Sequence, residues 1–463
     1  MTTTKKPLDI SVLKKYNRQG PRYTSYPTAP VFAPEFTGKD FRQEIVDTNR
    51  DSLGESVSLY FHLPFCAKLC YFCGCNMRVS NDRSVIAEYN NYLKKEIEIV
   101  RPWISENRKT AQLHWGGGTP SHLTPEEIRD VGTYIKDRFP YEDEIEASVE
   151  IDPRDMTRAH IEAFAEVGFN RTSFGVQDFD LTVQRAINRV QDEKITRQTV
   201  EWARSLGFKS INLDLIYGLP FQSIRTFSDT VDKVVDIAPD RIAVFNYAHV
   251  PWLKKHQSVM PAEAIPSADE RLAILQMTIE KLSAAGYIYI GMDHFAKPDD
   301  ELALAQRNGT LYRNFQGYST RSGCDVYAFG LSAISQFENI YAQNVKDFRE
   351  YYSRVGAGDV ATQVGYRMSF DDHVRKETIM QLMCNLKIDK PRIERMFDIE
   401  FDTYFAADLP GLQPFVDDGL VSIEENRISV VGSGILIIRN LAMCFDAYLE
   451  RMMREKPVFS RTV

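Results

Sequence analysis

Four cysteines fall within ten residues in the run Cys66-Ala-Lys-Leu-Cys70-Tyr-Phe-Cys73-Gly-Cys75. Soft thiolates select zinc, copper or iron–sulfur clusters, and spacing helps decide between them. A structural zinc site pairs two short cysteine motifs across a dozen or more residues, and this chain has no second half. The first three cysteines, at C-x3-C-x2-C, can hold three irons of a four-iron cluster in one loop and leave the fourth iron open. Cys75, one residue past Gly74, is too close to Cys73 to be taken as the fourth ligand and stays unassigned. The alternative, four incidental buried thiols, is uncommon without a metal or redox task. Cys324, Cys384 and Cys444 are scattered singly and read as small buried hydrophobes.

Such a loop needs a frame. Strand-like segments recur at SLYFH (58–62), QLHW (112–115), IEASVEI (145–151), RTSFGV (171–176), INLDLIYG (211–218), RIAVFNY (241–247) and YIYIGM (287–292). Helical periodicity fills the intervals at 87–100, 124–139, 157–168, 196–207, 226–237 and 269–286, with Thr or Ser caps opening several helices. This alternation predicts an α/β fold, a partial (β/α)6-type TIM-like barrel, with an open doubly wound sheet as the alternative. In a barrel, functional groups sit at the carboxyl ends of the strands. Those positions hold His62 and Pro64, then Gly116-Gly117-Gly118-Thr119-Pro120, Glu150 and Asp152, Gln177 and Asp178, Asp214 and Tyr217, and Asn246, Tyr247 and His249. Each alone reads as a turn or cap; together they put polar and metal-binding groups on one rim.

The rest divides into an N-terminal arm (1–40) punctuated by Pro21, Pro27, Pro30 and Pro34, the barrel with its substrate loops (41–370), and a mainly helical, winged-helix-like C-terminal domain (371–463). Within the second, 312–335 mixes Gly, aromatic and polar residues and reads as an ordered pocket-lining loop or as a surface loop packed by its own aromatics. In the third, a helix at 373–386, a β-turn-β at 420–431 and a long amphipathic helix at 434–455 are predicted. The 463 residues are 43% hydrophobic and 26% charged, an ordinary globular mix able to bury a core. No apolar run approaches the roughly 18 residues that cross a bilayer, and the opening MTTTKKPLDISVLKKYN lacks a signal-like stretch, so a cytoplasmic protein is expected, with no membrane partner. A net charge of −8 argues against a nucleic-acid or acidic-membrane surface. No repeat or coiled-coil heptad is visible, and a monomer is expected.

The cysteine spacing resembles that of the radical S-adenosylmethionine (SAM) enzymes, whose C-x3-C-x-aromatic-C motif is met by Cys66, Cys70, Phe72 and Cys73, followed by the glycine-rich strand end GGGTP. The resemblance covers about 55–300. It implies a [4Fe-4S] cluster whose open iron is chelated by SAM and whose electron cleaves SAM to methionine and a 5′-deoxyadenosyl radical. Within that family, PRYTSYPT (21–28), LYFHLPFCAKLCYFCGC (59–75), LHWGGGTPSHL (113–123), FGVQDFD (174–180), DLIYGLP (214–220), FNYAHVP (245–251), GMDHFAKPDDELA (291–303), RNFQGYST (313–320) and GLSAIS (330–335) resemble the branch that decarboxylates a porphyrinogen without dioxygen. That implies a radical SAM oxidoreductase of haem biosynthesis. Two propionates of coproporphyrinogen III would become vinyl groups, giving protoporphyrinogen IX, with a flavodoxin-type or ferredoxin-type electron donor.

The same resemblance places Cys66, Cys70 and Cys73 on the cluster. It puts Tyr60, Gly117, Glu150, Ala248 and Ile334 around one SAM, and Phe72, Gly118, Thr119, Gln177, Arg189 and Asp214 around a second. Carboxylates at 150 and 214 can accept from ribose hydroxyls or an amino group, and Arg189 can pair with a carboxylate. His62, four residues before Cys66, is a candidate proton shuttle or hydrogen-bond partner of the cluster, or a packed strand-end histidine. The tetra-anionic substrate calls for local cations, and Arg22, Lys297, Arg307, Arg313 and Arg321 are candidates, with Arg22 and the YTSY segment expected to fold over the barrel mouth or to be tethered outside it. The alternative within the family is a haem-binding or trafficking branch without oxidase activity. That branch has an aromatic residue where Cys75 stands and lacks the arm. A metal-stabilised nucleic-acid-binding protein with a winged-helix tail is disfavoured by the charge.

Overall fold

The computed structural model describes residues 9, 11–51 and 55–455, so most of the opening stretch read for a signal and the last eight residues lie outside it. The chain forms two compact units, one of Phe32–Ser267 with Gly323–Arg367, the other of Met1–Val31, Ala268–Ser322 and Met368–Val463. Among the described residues no helix is long and apolar enough to cross a membrane.

The first unit is the predicted partial (β/α)6 barrel sheet. Its strands β1 (Val57–Leu63), β2 (Thr110–Gly117), β3 (Tyr141–Ile151), β4 (Arg171–Gln177), β5 (Ser210–Tyr217) and β6 (Arg241–Asn246) pair in parallel in chain order. Between them run α1 (Arg83–Val100), α2 (Pro125–Arg138), α3 (Arg158–Glu166), α4 (Glu193–Ser205) and α5 (Ile224–Ile237). Each starts where a short polar side chain leaves an extended conformation: Asp82 accepts from Ser84 N, and Thr124 forms a capping box with Glu127. Along the strands alternate positions bury hydrophobes, as with Leu59 and Phe61, Leu113 and Trp115, Ala147 and Val149, and Leu213 and Leu215. Trp115 meets Phe164 of α3 and Phe169 edge-on at 6.3 and 5.0 Å, clamping helix to sheet.

Beyond β1 the sheet continues where a loop is predicted. Asp325–Phe329 pairs in parallel with β1, and Ile334–Gln336, Ile340–Asn344 and Thr362–Arg367 follow antiparallel. All five residues of DVYAF are buried, so the segment lacks the polar/apolar alternation that marks a strand. Glu96 of α1 holds this extension, accepting from Gly330 N at 2.6 Å, Asn344 Nδ2 at 2.7 Å and Tyr351 Oη at 2.8 Å. Burial pushes its carboxyl up to about 7 against the pull of those donors. The folded state therefore keeps a proton that the unfolded chain releases near 4.5, and stability is lost as pH rises from about 4.5 through 7, on the order of 3 kcal/mol. Glu96→Gln has no proton to lose, so its melting temperature should gain on wild type across that window. A difference that stays constant from pH 4.5 to 8 would refute the assignment.

In the second unit, the seventh predicted strand is not a parallel barrel strand. Ile288–Gly291 folds back antiparallel on His294–Ala296 through Met292 and Asp293, both at positive φ (46° and 76°). A second hairpin pairs Tyr312–Asn314 with Gly317–Ser319. The C-terminal part has helix Phe370–Asn385, helix Lys390–Phe397 and a three-stranded antiparallel sheet of Lys387–Asp389, Arg427–Val430 and Val421–Ile423. The long helix predicted at 434–455 is broken into Ile438–Ala442 and Leu449–Glu455, with tight turns before and between. A side chain at Gly434 would lie 2.4 Å from Leu420 O, and at the second break Ala447 N donates to Tyr26 Oη at 3.0 Å while Tyr23 Oη donates to Asp446 at 2.8 Å. Tyr26 takes up the Ala447 N–H that a continuous helix would have used internally while Tyr23 pins the Asp446 side chain beside it, and tertiary packing overrides the amphipathic pattern.

Candidate active site

Register assembles a polar row across the first unit's sheet, on the face its hydrophobes leave. Tyr60 stands opposite His114, His114 opposite Ser148, Glu150 opposite Ser173, Ser173 opposite Asn212, and Gly175 opposite Asp214. The Tyr60 and His114 rings stack at 5.8 Å, and His114 bonds Ser148 Oγ at 2.5 Å and donates Nε2–H to Glu150 Oε1 at 3.3 Å. Crowding by the neighbouring strand ends would raise the Glu150 carboxyl, half-exposed though it is, but the His114 bond and the Gly117 N–H hold it below its ordinary value. Asp214 accepts from Ser173 Oγ at 2.7 Å and Asn212 Nδ2 at 2.8 Å, yet burial, reinforced by the Glu150 charge, pushes it up to about 6. Two carboxylates of one row thus differ in how readily they carry a proton. His62 donates Nε2–H to Asn76 O at 2.9 Å and accepts from Tyr60 Oη at 3.2 Å, and burial lowers its pKa, so the ring is neutral.

At the end of β2 the three glycines are demanded by neighbours. A Cβ on Gly116 would lie 2.9 Å from Glu150 Cδ; Gly117 has φ +112° and would strike the His62 ring; a Cβ on Gly118 would sit 2.6 Å from Pro64 C and 2.8 Å from Phe65 N and O. Gly118 N donates to Leu63 O and Thr119 N to Phe65 O, both at 2.9 Å, so the strand end is laced to the segment entering the cysteine loop. Thr119 Oγ1 in turn accepts from Asp152 N at 3.2 Å.

Cys70 is buried, while Cys66 and Cys73 are partly exposed. Two guanidiniums point at Cys70 Sγ, Arg154 Nη2 at 3.6 Å and Arg189 Nη1 at 3.5 Å, and both also donate to Asp152 Oδ2, at 2.6 and 2.9 Å. Arg189 and Arg154 keep the Asp152 carboxylate low despite its burial. Arg189 also donates to Gly175 O at 2.6 Å. The pairing of β4 with β5 slips between Gly175 and Gln177, a bulge that puts Gln177 at φ +68° with Oε1 buried and unpartnered among the described residues. Phe72 packs on the cluster of Val183, Ile187, Leu219, Tyr247 and Met260.

Ala248 is exposed just past β6, and Ile334 is half-buried at the start of its strand. Arg22 and Arg313 belong to the second unit, where Arg22 pairs with Asp293 at 3.3 Å. Sequence reasoning missed His114, Arg154 and the turn after β6, where Lys254, His256 and Gln257 donate to Cys75 O, Cys73 O and Phe72 O at 3.1, 2.7 and 3.1 Å. His114 was available from period-two counting along LHWGG. The cations of PWLKKHQ gave no sign of their target.

Residues 60–234 match the Radical SAM superfamily and 368–437 match the HemN C-terminal domain. The oxygen-independent coproporphyrinogen III oxidase of Synechocystis is 44% identical over the whole of both chains, and that of Escherichia coli K12 is 44% identical over 98% of each. The chain belongs to the oxygen-independent coproporphyrinogen III oxidase family. The solved structure of the Escherichia coli coproporphyrinogen III oxidase, described as a radical SAM enzyme, superposes with a TM-score of 0.91 at 43% identity, covering 96% of this chain and 100% of that one.

Membership in this oxidase family implies a [4Fe-4S] cluster and SAM. The donor set suits a cluster. Burial and the neighbouring cysteines push the Cys66 thiol up to about 12, a penalty that bound iron would relieve, while the Cys75 thiol and N–H draw Cys73 down to about 6. No three His, Cys, Asp or Glu side chains among the described residues converge on a single metal ion. A four-iron cube asks for something else, one thiolate at each of three irons.

Proposed function

We propose that the chain converts two propionates of coproporphyrinogen III to vinyl groups, releasing carbon dioxide and giving protoporphyrinogen IX without dioxygen, in porphyrin and haem biosynthesis. The observation that carries this reading is the 44% identity sustained from the arm to the C-terminal segment. When bound, the cluster and SAM would supply a 5′-deoxyadenosyl radical able to take a hydrogen atom from a propionate β-carbon, after which carbon dioxide would leave and one electron would pass from the substrate to an electron acceptor. Cys66, Cys70 and Cys73 hold the cluster, with the Arg154 and Arg189 guanidiniums beside Cys70 offsetting its negative charge. Tyr60, Gly117, Glu150, Ala248 and Ile334 are assigned to one SAM, and Phe72, Gly118, Thr119, Gln177, Arg189 and Asp214 to a second. His62, neutral and bonded at both ring nitrogens, shapes the strand end under Gly117. A flavodoxin-type or ferredoxin-type donor supplies the electron, and the enzyme works as a monomer.

Glu150 presents a carboxylate that is 47% exposed and already oriented by His114 and Gly117. Replacing it by Gln should weaken SAM binding by about 10- to 100-fold, the worth of one charged hydrogen bond, with the iron–sulfur absorbance unchanged. Equilibrium dialysis with labelled SAM measures this, and equal affinity would remove Glu150 from the site. The function itself is tested by anaerobic reconstitution with iron and sulfide, followed by SAM, reductant and coproporphyrinogen III. The reading expects 5′-deoxyadenosine and protoporphyrinogen IX together. SAM cleavage without decarboxylated product would leave the chemistry and remove the substrate.

A further inference from the structure

The second unit buries a cation that the proposed mechanism does not use. Arg313 is 4% exposed and lies opposite Tyr318 on the hairpin Tyr312–Asn314/Gly317–Ser319, its guanidinium 4.8 Å from the ring centroid. Its Nε and Nη1 are buried and form no hydrogen bond with any described residue. A guanidinium stays ionised and is strongly penalised when desolvated without acceptors, so a site needing only shape would be better served by a Met or Leu. The surroundings add positive charge. Arg439, 7% exposed, donates Nε to Pro21 O at 2.9 Å and Nη2 to Gly20 O, both neutral acceptors, and burial followed by the charge of Arg22 brings it down to about 10. Arg22 pairs with Asp293 at 3.3 Å, the carboxylate that offsets this group. His294 meets Tyr318 edge-on at 5.3 Å, and burial together with the Arg313 charge holds it down to about 4, so it is a neutral ring and no counter-ion.

We propose that Arg313, in a cation-rich setting shared with Arg22 and Arg439, is the receptor for a carboxylate of the substrate, anchoring one propionate. This rests on the oxidase reading and deepens it. A carboxylate is the acceptor whose planar shape and charge match an unpartnered guanidinium fork. It also explains why a tetra-anion finds a berth on a chain of net charge −8.

The test is binding of coproporphyrin III, followed by fluorescence, to the full chain and to Arg313→Met, with the uncharged tetramethyl ester as a second probe. The variant should bind the tetra-acid on the order of 30-fold more weakly. It should lose nothing against the ester, and it should melt no lower than wild type because an uncompensated buried charge is gone. A weakening of less than tenfold, or an equal loss toward acid and ester, overturns the proposal. Should Arg313→Met fail to fold, Arg313→Lys keeps the charge and loses the fork, and affinity for the tetra-acid within threefold of wild type overturns it equally. Turnover of coproporphyrinogen III by wild type in the same preparation separates the two levels: no turnover counts against the oxidase reading, while turnover with unaltered binding by the variant counts against Arg313 alone.

Discussion

Cys70→Ala should fold and yet neither take up a cluster nor form product. Cys70 is the buried member of the three, and its sulfur sits against two guanidiniums that both keep their hydrogen bonds to Asp152 when it is removed. The apoprotein should therefore lose only about 1 kcal/mol, as an ordinary point substitution does. Turnover should fall by on the order of 10^6-fold or more, because an enzyme without its cofactor forfeits the bulk of its rate acceleration. Anaerobic reconstitution, visible absorbance and 5′-deoxyadenosine release measure the three effects. Cys75→Ala is the informative partner, since it removes the Cys75 thiol beside Cys73 but keeps the backbone N–H bond to Cys73 Sγ at 3.4 Å. A full cluster spectrum in Cys70→Ala, or its loss in Cys75→Ala, would overturn the three-cysteine assignment.

Gly118→Ala should come next in severity. Its new Cβ would press on backbone atoms of Pro64 and Phe65, which cannot rotate aside as a side chain would, and those residues lead directly into Cys66. Overpacking of this kind costs about 1–3 kcal/mol. Shifting the cysteine loop against the strand end by about 1 Å should lower turnover by around 100-fold. Gly74→Ala, inside the loop but with nothing within 4 Å of its Cβ, should change stability by less than about 0.5 kcal/mol and leave the cluster intact. Melting curves and iron content of the two variants distinguish close packing at Gly118 from general sensitivity of glycines near the cysteines. Similar behaviour of the two would refute the packing argument.

The alternation of short apolar runs with capped helical stretches was enough to place β1 to β6 and the helices between them, since both periods are local properties of the chain. The strand at Asp325–Phe329 escaped because burial of every residue erases alternation, and the helix at 434–455 was overextended because its interruption is caused by Tyr23 and Tyr26, some 420 residues earlier. Ile288–Gly291 was strand-like as read, but its partner depends on a turn at Met292 and Asp293 in a conformation that no pattern in the residue types announces.

By itself the sequence determined the three-cysteine spacing, the glycines at the end of β2 and the family to which they point, because ligand type and chain spacing are written locally. Only the tertiary structure decided that Arg154 and Arg189 converge on Cys70 through Asp152, that His114 orients Glu150, that the turn at 254–257 holds the cysteine loop by its carbonyls, and that Arg313 buries Nε and Nη1 without an acceptor among the described residues. Each of these joins residues distant in the chain. Which side chains meet, and which charges go unanswered, is set by sheet register and packing, and neither can be read from spacing alone.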